Sequence, residues 1–459
     1  MNAPAHPLVY DPKSPPLLPF SDQVIAAFAD GRDTPRAYLE RCLDIIAERE
    51  PAVLAFVCRD DVGARNAADA ATERYKHGRP LSLMDGCPVA VKDIIETVDM
   101  PTQMNSPIYA GWQSGRDAAS VYALRQSGAV IVGKTVTTEF ASGASGPTRN
   151  PFDPTRTPGG SSSGTAAAVG AGMVPGGLGT QTAGSVVRPA AYCGAYGFKP
   201  THAALNMGGI HPISHSHDTL GTIASSIDAC WRLAYQIAHH VGGTSPHPGL
   251  VGPAALGAGV RPTRLIWLYT DGWKEVDGAS INAFDGLMRE LKQKGVEIVD
   301  RSDDDEIAKL EQLLAGVDVV ASTITAYERR WPYLDYYHRD PSTLSPYLRD
   351  SIEKSAALTA ADFRVTTEKR AQIRHQVAAL GTRADGFITF TSSGPAPLGL
   401  DWTGSRSFQI CQTLMSTPAF TIPLLEVEGL PLGVQLIGFV DQDERLARQA
   451  KWMAEACLA

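Results

Sequence analysis

The sequence predicts an α/β protein, because short apolar runs alternate with helical stretches along much of its length. Residues 88–91 form one apolar run, a predicted helix spans residues 118–126, and residues 129–132 form the next run. A second unit of the same kind covers residues 265–299. Strands joined through a helix pair in parallel, and strands buried on both faces are nearly continuous in apolar residues. We therefore expect a mainly parallel sheet covered by helices.

Composition narrows the class of protein. The chain has 459 residues, 44% of them hydrophobic, which is enough to bury a large core. Its net charge is −8, and no basic run with interleaved aromatics points to a nucleic acid partner. The seven cysteines are scattered without a CxxC pair, which favours a reducing compartment over a zinc site. No stretch approaches the ~18 apolar residues of a membrane helix, and no secretory signal is recognisable, so we expect a soluble cytoplasmic protein.

The first 80 residues are predicted to form an extended arm followed by helices. Residues 1–20 are rich in proline and are expected to be extended. Residues 21–80 have mostly helical character. Within them Thr34 followed by Pro35 is typical of a helix start, because a threonine side chain caps free amides and proline needs no hydrogen-bond partner there. Residues 305–380 form a second helix-rich segment.

Residues 159–197 are unusually rich in glycine, serine, threonine and alanine, a composition typical of flexible linkers. A linker is not expected here, because residues 165–171 have helical character and residues 192–198 are apolar and bulky. Small residues in an ordered segment let two backbones approach closely, as an active site requires. We interpret this segment as part of an active site.

Three pieces of sequence carry the chemistry. GCPVAVKD places Lys92 at the end of a predicted buried strand, GGSSSGT offers Ser161, Ser162 and Ser163, and GTQTAGSVVRPA contains Ser185. A serine hydroxyl is a weak nucleophile and needs a base within hydrogen-bond reach. None of the eleven histidines lies in a triad motif. A lysine can serve if it is neutral, and burial lowers the pKa of a lysine from its reference value of ~10.4.

In this order, the three pieces resemble the amidase-signature family. The family pattern is a strand ending in Val-Lys-Asp, then Gly-Gly-Ser-Ser-Ser-Gly, then Gly-Ser-x-x-Arg-Pro-Ala. The resemblance covers about residues 25–240 and resumes at about 384–455. It implies the family's fold, a mixed many-stranded sheet sandwiched between layers of helices, as a single domain over residues 21–459. Residues 81–240 would then form the catalytic core, and residues 305–380 a variable helical region that shapes the substrate site.

The resemblance also implies roles for individual residues. Ser185 resembles the acylated nucleophile, Ser161 the serine that the family holds on a cis peptide bond, and Lys92 the base. Ser162 and Arg188 are expected to support them. Four consecutive backbone N–H groups resemble the oxyanion hole, those of Thr182, Ala183, Gly184 and Ser185.

The function implied is that of an amidase that cleaves a linear amide-type C–N bond through an acyl-enzyme. Neutral Lys92 would take a proton from Ser161, which takes one from Ser185, and no metal or organic cofactor is needed. The expected substrate is a small amide, anilide or carbamate. Two alternatives stay open, namely carbamate or aryl-ester hydrolysis in the same site and the glutamine-hydrolysing subunit of a tRNA-dependent amidotransferase. A homodimer would be common for an enzyme of this size.

The chain departs from the family pattern next to the nucleophile. Gln181 and Ala183 stand where the family usually has aspartate and glycine, and Val136 replaces a common asparagine. The change to Gln181 removes a negative charge that could pair with Arg188. These departures favour a free-standing amidase over a component of an amidotransferase, and they leave the substrate undetermined.

Two other motifs occur in the sequence. Residues 160–164 also fit the G-x-S-x-G nucleophile elbow, with Ser162 at its centre, but that motif must follow a buried strand and residues 151–158 do not have the pattern of one. Four potential metal ligands lie in a predicted loop without helical placement, so we expect no metal there: His211, His215, His217 and Asp218.

An aromatic cluster lies between residues 327 and 337. Aromatic residues at such spacing more often belong to a helix core than to a substrate pocket. Because the segment lies in the region where the family shapes its substrate site, Tyr327 and Trp331 are kept as candidate substrate-binding residues. Trp402 is a third candidate substrate-binding residue.

Overall fold

The computed structural model describes residues 7–458, and its strands join a single sheet. In chain order the strands are Phe56–Arg59 (β1), Pro88–Lys92 (β2), Val130–Thr135 (β3), Gly176–Gln181 (β4), Tyr196–Lys199 (β5), Thr219–Ala224 (β6), Arg264–Trp267 (β7), Glu297–Val299 (β8), Gly386–Phe390 (β9), Ala419–Val427 (β10) and Leu430–Ile437 (β11). Across the sheet their order is β1-β3-β2-β4-β6-β5-β10-β11-β9-β7-β8.

The helices account for most of the remaining ordered chain. They are Asp22–Ala29 (α1), Pro35–Val53 (α2), Asp61–Lys76 (α3), Ala119–Gln126 (α4), Ser163–Gly170 (α5), Val187–Tyr192 (α6), Ile227–Val241 (α7), Gly278–Gln293 (α8), Asp305–Leu314 (α9), Val317–Glu328 (α10), Arg330–Arg339 (α11), Pro346–Ala356 (α12), Ala360–Leu380 (α13), Ile410–Met415 (α14) and Asp443–Leu458 (α15). Within residues 7–458, no helix is long and apolar enough to cross a bilayer.

The sheet is mixed. β2 pairs in parallel with β3 and β4, and β7 pairs in parallel with β8 and β9. The strands between these two groups are antiparallel, as are β1 and β3. The two predicted β–α–β units are therefore present, but the expectation of a mainly parallel sheet was wrong, because antiparallel strands join the units. The α/β fold with a mixed sheet between helices is confirmed.

Both faces of the sheet are covered. Because side chains alternate along a strand, Val89 and Val91 of β2 pack in a cluster with α4 and α7, whereas Ala90 packs with α3 and α5 on the other face. A third cluster packs α9, α10, α13 and α14 around Ile266 and Phe387. The strand ends that carry the predicted site thus lie inside a continuous core.

The N-terminal region differs in one respect from its prediction. The Thr34 side chain accepts from the Ala37 N–H at the start of α2, as predicted. The expected all-helical stretch is interrupted by β1, a four-residue strand that pairs with β3 at the edge of the sheet. Residues 7–20 contain no helix or strand, and the remainder of the predicted arm, residues 1–6, lies outside the described residues.

Candidate active site

Lys92 is the last residue of β2, in the interior of the sheet between β3 and β4. The apolar residues before it make β2 a fully buried strand, and Lys92 itself is 0% exposed. Its Nζ donates to Ser161 Oγ at 2.7 Å, to Thr180 Oγ1 at 2.8 Å and more weakly to the Thr180 carbonyl at 3.4 Å. The amine is therefore surrounded by neutral oxygen atoms.

This environment disfavours the charged form of Lys92. Burial lowers the pKa of Lys92 well below its ordinary value, because the ammonium form loses its hydration. The negative charge of Asp218 acts in the opposite direction on the same pKa. Among the described residues no carboxylate forms an ion pair with Lys92. A buried lysine without an anionic partner is suited to act as a neutral base.

Ser161 lies in the serine loop, residues 159–162. It is 4% exposed, and the Gly160–Ser161 peptide bond is cis. Two contacts fix the backbone on either side of this bond: Arg188 Nη2 donates to the Gly160 carbonyl at 2.7 Å, and the Thr138 N–H donates to the Ser161 carbonyl at 3.3 Å. Ser161 Oγ is thereby held against Lys92.

Ser185 lies in the nucleophile turn, residues 182–186, which joins β4 to α6. The residue is partly exposed, and its carbonyl accepts from the Ser162 N–H at 3.3 Å, so the turn and the serine loop touch. Gly184 has a φ of +116°, and a Cβ at this position would come within 2.8 Å of Gln409 Oε1. Glycine at 184 is therefore needed for the path of the turn.

Gln181 anchors this turn to the start of α6. Its Oε1 accepts from the backbone N–H groups of Val186 at 2.9 Å and Val187 at 3.1 Å. The first amides of a helix lack acceptors within the helix. The Gln181 side-chain oxygen supplies this acceptor, as the aspartate usual in the family could also do. Arg188 does not depend on a charge at 181, because it donates to the carbonyls of Gly160 and Gly404 and to the hydroxyl of Thr403.

The backbone of the nucleophile turn presents unused donors. Within the described part of the chain, the N–H groups of residues 182–185 have no protein acceptor. The Thr182 hydroxyl donates to Asp218 Oδ1 at 2.6 Å and so ties the turn to the loop before β6. Free amides beside a serine can bind an oxygen atom that becomes negative during reaction.

Thr180 and Asp218 were not assigned to the site from sequence. Asp218 also accepts from the N–H groups of Ile213 at 2.7 Å and Ser214 at 2.9 Å, and burial raises its pKa to about 6. It reaches the site because β4 and β6 are antiparallel neighbours, with Gln181 opposite Thr219. The one usable signal for Thr180 was its place at the end of β4, since neighbouring parallel strands such as β2 and β4 end at the same edge.

Ser162 occupies the N-cap position of α5, yet its side chain makes no capping hydrogen bond. Its Oγ instead donates to the Thr180 carbonyl and accepts from the Thr180 N–H, both at 3.3 Å. Residues 151–158 form no strand, so the geometry of a nucleophile elbow around Ser162 is lacking. Ser162 joins the serine loop to β4.

The aromatic residues divide into two groups. Tyr333 and Tyr336 are buried and pack against Phe140 and His211, and the Tyr333 hydroxyl donates to the Phe140 carbonyl at 3.0 Å. In the described chain no contact joins the other group to the three candidate catalytic side chains, so its substrate-binding role stays a prediction: Tyr327 stacks on Phe363, Trp331 is 70% exposed and Trp402 is 59% exposed.

The loop with four potential ligands does not form a metal site. His211 Nε2 lies 3.0 Å from the Tyr336 hydroxyl, and Asp218 is engaged by Thr182 and two amides. In the part of the chain that the structure describes, no three His, Cys, Asp or Glu side chains are grouped in a way that could hold a metal ion.

Comparison with known proteins extends the resemblance over nearly the whole chain. A family model described as Amidase matches residues 37–447. A glutamyl-tRNA(Gln) amidotransferase component from Chloroflexus aurantiacus is 33% identical, over 90% of this chain and 91% of that protein. A crystal structure described as an amidase has a TM-score of 0.80 and 27% identity, over 94% of this chain and 98% of that chain. A structure described as a vestigial protein complex that reveals the origins of an s-triazine catabolic enzyme has a TM-score of 0.80 and 28% identity, over 94% and 97%.

Proposed function

The chain belongs to the amidase family, and we propose that it hydrolyses a linear amide C–N bond through an acyl-enzyme formed on Ser185. The observation that carries this proposal is the 2.7 Å contact between Ser161 Oγ and Nζ of the fully buried Lys92. Burial favours the neutral form of the amine, and a neutral amine can accept a proton from a hydroxyl. Membership of a family of amide hydrolases supports the reaction class.

The proposed reaction moves one proton along the three side chains. The lone pair of Lys92 Nζ accepts the Ser161 proton while Ser161 Oγ accepts the proton of Ser185. Ser185 Oγ then attacks the amide carbonyl, and the resulting oxyanion is bound by the free N–H groups of residues 182–185. Loss of one such donor typically costs ~10²–10³ in rate. The proton returns through Ser161 to the leaving nitrogen, and water cleaves the ester by the same route.

The first test uses the purified protein alone with a panel of amides, anilides, carbamates and aryl esters. We expect hydrolysis of at least one amide, and Ser185→Ala should lower kcat by about 10⁶-fold, as loss of a nucleophile does in other acyl-enzymes. Ser162→Ala is the matched control from the neighbouring loop and should be mild. Amide hydrolysis that survives Ser185→Ala would contradict the proposal, and exclusive turnover of carbamates or esters would assign the alternative substrate class.

A second candidate function is the glutamine-hydrolysing subunit of a tRNA-dependent amidotransferase. The specific observation in its favour is the 33% identity to a component of such an enzyme over 90% of this chain. The two functions differ in their need for partners. Glutaminase activity that appears only after the other components of an amidotransferase are added would favour this candidate, whereas turnover by the lone protein favours the free-standing amidase.

A cytoplasmic location and a homodimer stay predictions.

A further inference from the structure

Three arginines are buried in the described structure, and they differ in how their charge is balanced. Arg232 is 2% exposed and pairs with the carboxylate of Asp22. Arg188, 5% exposed, and Arg329, 7% exposed, form no ion pair with any described residue. A buried charge is costly unless it is paired. The two unpaired guanidinium groups therefore need an explanation that the paired one does not.

Arg329 and Arg188 have equally incomplete sets of partners, but Arg188 already holds the Gly160 carbonyl of the serine loop, whereas Arg329 has no such role. It lies between α10 and α11 and donates from Nη1 to Ser142 Oγ at 3.2 Å and from Nη2 to the carbonyl and hydroxyl of Ser351. Its Nε is buried and has no acceptor among the described residues. The guanidinium lies 6.0 Å from the centre of the Tyr333 ring. These partners are neutral and satisfy hydrogen bonds without balancing the charge.

Two carboxylates of this part of the fold accept hydrogen bonds from groups other than Arg329, and Glu139 Oε2 is buried without a partner among the described residues. Glu139 Oε1 accepts from the Ser345 N–H at 3.0 Å. Glu328 precedes Arg329 in the chain, and its carboxylate accepts from the hydroxyls of Ser214 and Ser216, both at 2.6 Å. Neither carboxylate forms an ion pair with Arg329 in the structure as described. The region keeps a positive charge that the protein does not neutralise by contact.

Arg329 is placed beside the two loops that build the candidate active site. Ser142, which accepts from it, directly follows the short turn Glu139–Ala141, and the residue before that turn, Thr138, donates to the Ser161 carbonyl. On the other side, Glu328 holds the segment that leads into Asp218, which binds the Thr182 hydroxyl of the nucleophile turn. Arg329 is thus connected to both the serine loop and the nucleophile turn.

A further arginine lies close enough to the two buried ones to act on their charge. Arg406 lies four residues before α14 and is 43% exposed. Burial is the main cause that lowers the pKa of Arg188 and of Arg329, and the charge of Arg406 lowers both pKa values further. Arg406 has its own partner, Asp318, at 2.8 Å. Asp318 thus balances the charge of Arg406, and the two buried guanidinium groups keep theirs without a contacting carboxylate among the described residues.

We propose that the substrate is an amide that also carries a carboxylate, and that Arg329 binds this carboxylate. The inference rests on the proposed amidase function. A guanidinium is planar and offers its donors in a fork that matches a carboxylate. The substrate would supply the negative charge that Arg329 lacks, and Tyr333 and Ser142 would hold the side chain in place. Arg329 is thereby a specificity-determining residue that does not take part in proton transfer.

The test on the unmodified protein compares acids with neutral isosteres. Succinamate and glutaramate differ from succinamide and glutaramide only in a carboxylate in place of an amide. We expect kcat/KM to be at least ~10-fold higher for the acid in one of the pairs, as a charged hydrogen bond allows. Equal or faster turnover of both diamides would overturn the carboxylate assignment and leave the amidase standing. Turnover of no member of the wider amide panel would overturn both.

The variant test assigns the effect to Arg329. Arg329→Gln should lower the acid-to-diamide ratio of kcat/KM by ~10- to 100-fold, mainly through KM for the acid, and Arg329→Lys should retain part of the ratio. Arg330→Gln is the matched control, because Arg330 also donates to neutral carbonyls, those of Ser355 and Leu358, and stacks on Tyr327. Arg330→Gln should leave the acid-to-diamide ratio of kcat/KM unchanged.

An equal loss of kcat/KM for acid and diamide in Arg329→Gln would show a structural role only. If that variant does not fold, the ratio in Arg329→Lys decides.

Discussion

Two lysines lie fully buried on neighbouring parallel strands, and their surroundings differ in one respect. Lys92 ends β2 and contacts the hydroxyls of Ser161 and Thr180, whereas Lys134 in β3 lies 3.0 Å from the carboxylate of Asp93. Both side chains are 0% exposed. Burial lowers the pKa of each amine, and Asp93 offsets part of this effect for Lys134. One lysine is thus paired, and the other is left without a contacting carboxylate.

The difference arises from a register shift between the two strands. Val89 pairs with Ile131, but Ala90 pairs with Gly133, so β3 contains one extra residue at this point. An extra residue reverses the face to which all later side chains point. As a result Lys134 lies opposite Val91 and Thr135 opposite Lys92. The shift separates the paired Lys134 from Lys92, the proposed base, although the two are close in the sheet.

The largest effect that this comparison predicts is on the chemical step. Lys92→Met should lower kcat for the best amide by ~10²–10⁴-fold, the range that a general base contributes. Methionine removes the amine and leaves no buried charge unpaired, so the loss of stability should be smaller than the loss of transition-state stabilisation. Steady-state kinetics together with urea unfolding of the same preparation checks both quantities.

Lys134→Met is the counterpart of that variant. It leaves the Asp93 carboxylate buried without its cation, which typically costs about 3–5 kcal/mol of unfolding free energy. The rate per folded molecule should change little, because Lys134 does not contact Ser161 or Ser185. Loss of chemistry in Lys134→Met with unchanged stability would reverse the roles assigned to the two lysines.

The second prediction concerns the pH dependence of the rate. The base must be neutral, so kcat/KM should fall as the pH drops through the pKa of Lys92. Burial raises the pKa of Asp218 to about 6; above that pH its negative charge raises the pKa of Lys92. Asp218→Asn removes this charge and should therefore move the acidic limb of the profile to lower pH. A pH–rate profile of each protein measures the shift.

Asp93→Asn is the control for this shift. Asp93 follows Lys92 in the chain, but its carboxylate pairs with Lys134. The acidic limb should therefore stay where it is in Asp93→Asn, even if the protein becomes less stable. A limb that moves in Asp93→Asn and not in Asp218→Asn would show that the carboxylate next to Lys92 in the chain, rather than Asp218, acts on the pKa of Lys92.

Sequence reasoning placed Lys92, Ser161 and Ser185 in one site because a base and two hydroxyls were present in a family's order. The structure brings Lys92 and Ser161 into contact and joins the serine loop to the turn of Ser185. Thr180 and Asp218 could not be found in the same way. Their positions depend on which strands are neighbours and in which direction they run, and the place of Thr180 at the end of β4 is the one usable signal in the sequence.

The fold shows the same division between local and non-local information. The cap at Thr34 and helices such as Ala119–Gln126 follow from local patterns, and the structure contains them. The four-residue strand β1 was missed because it is short and forms only by pairing with β3. Trp331 was named as a substrate-binding candidate because an aromatic residue stands out in a sequence. Arg329 was not considered, because a buried charge without an ion pair becomes visible only when its neighbours are known.

The smallest predicted effect comes from removing the hydroxyl that accepts a hydrogen bond from each of the two lysines. Lys92 Nζ donates to Thr180 Oγ1 at 2.8 Å, and Lys134 Nζ donates to Thr102 Oγ1 at 2.7 Å. Valine at either position removes one hydrogen bond of similar length, worth about 0.5–1.5 kcal/mol. In Thr180→Val this should appear as a ~2- to 10-fold lower kcat, because the base loses a group that positions it. In Thr102→Val the loss should appear as a lower free energy of unfolding with an unchanged kcat, since the Lys134–Asp93 ion pair that Thr102 supports has a structural role. Equal effects of both variants on kcat would mean that the two lysines are coupled despite the register shift that separates them.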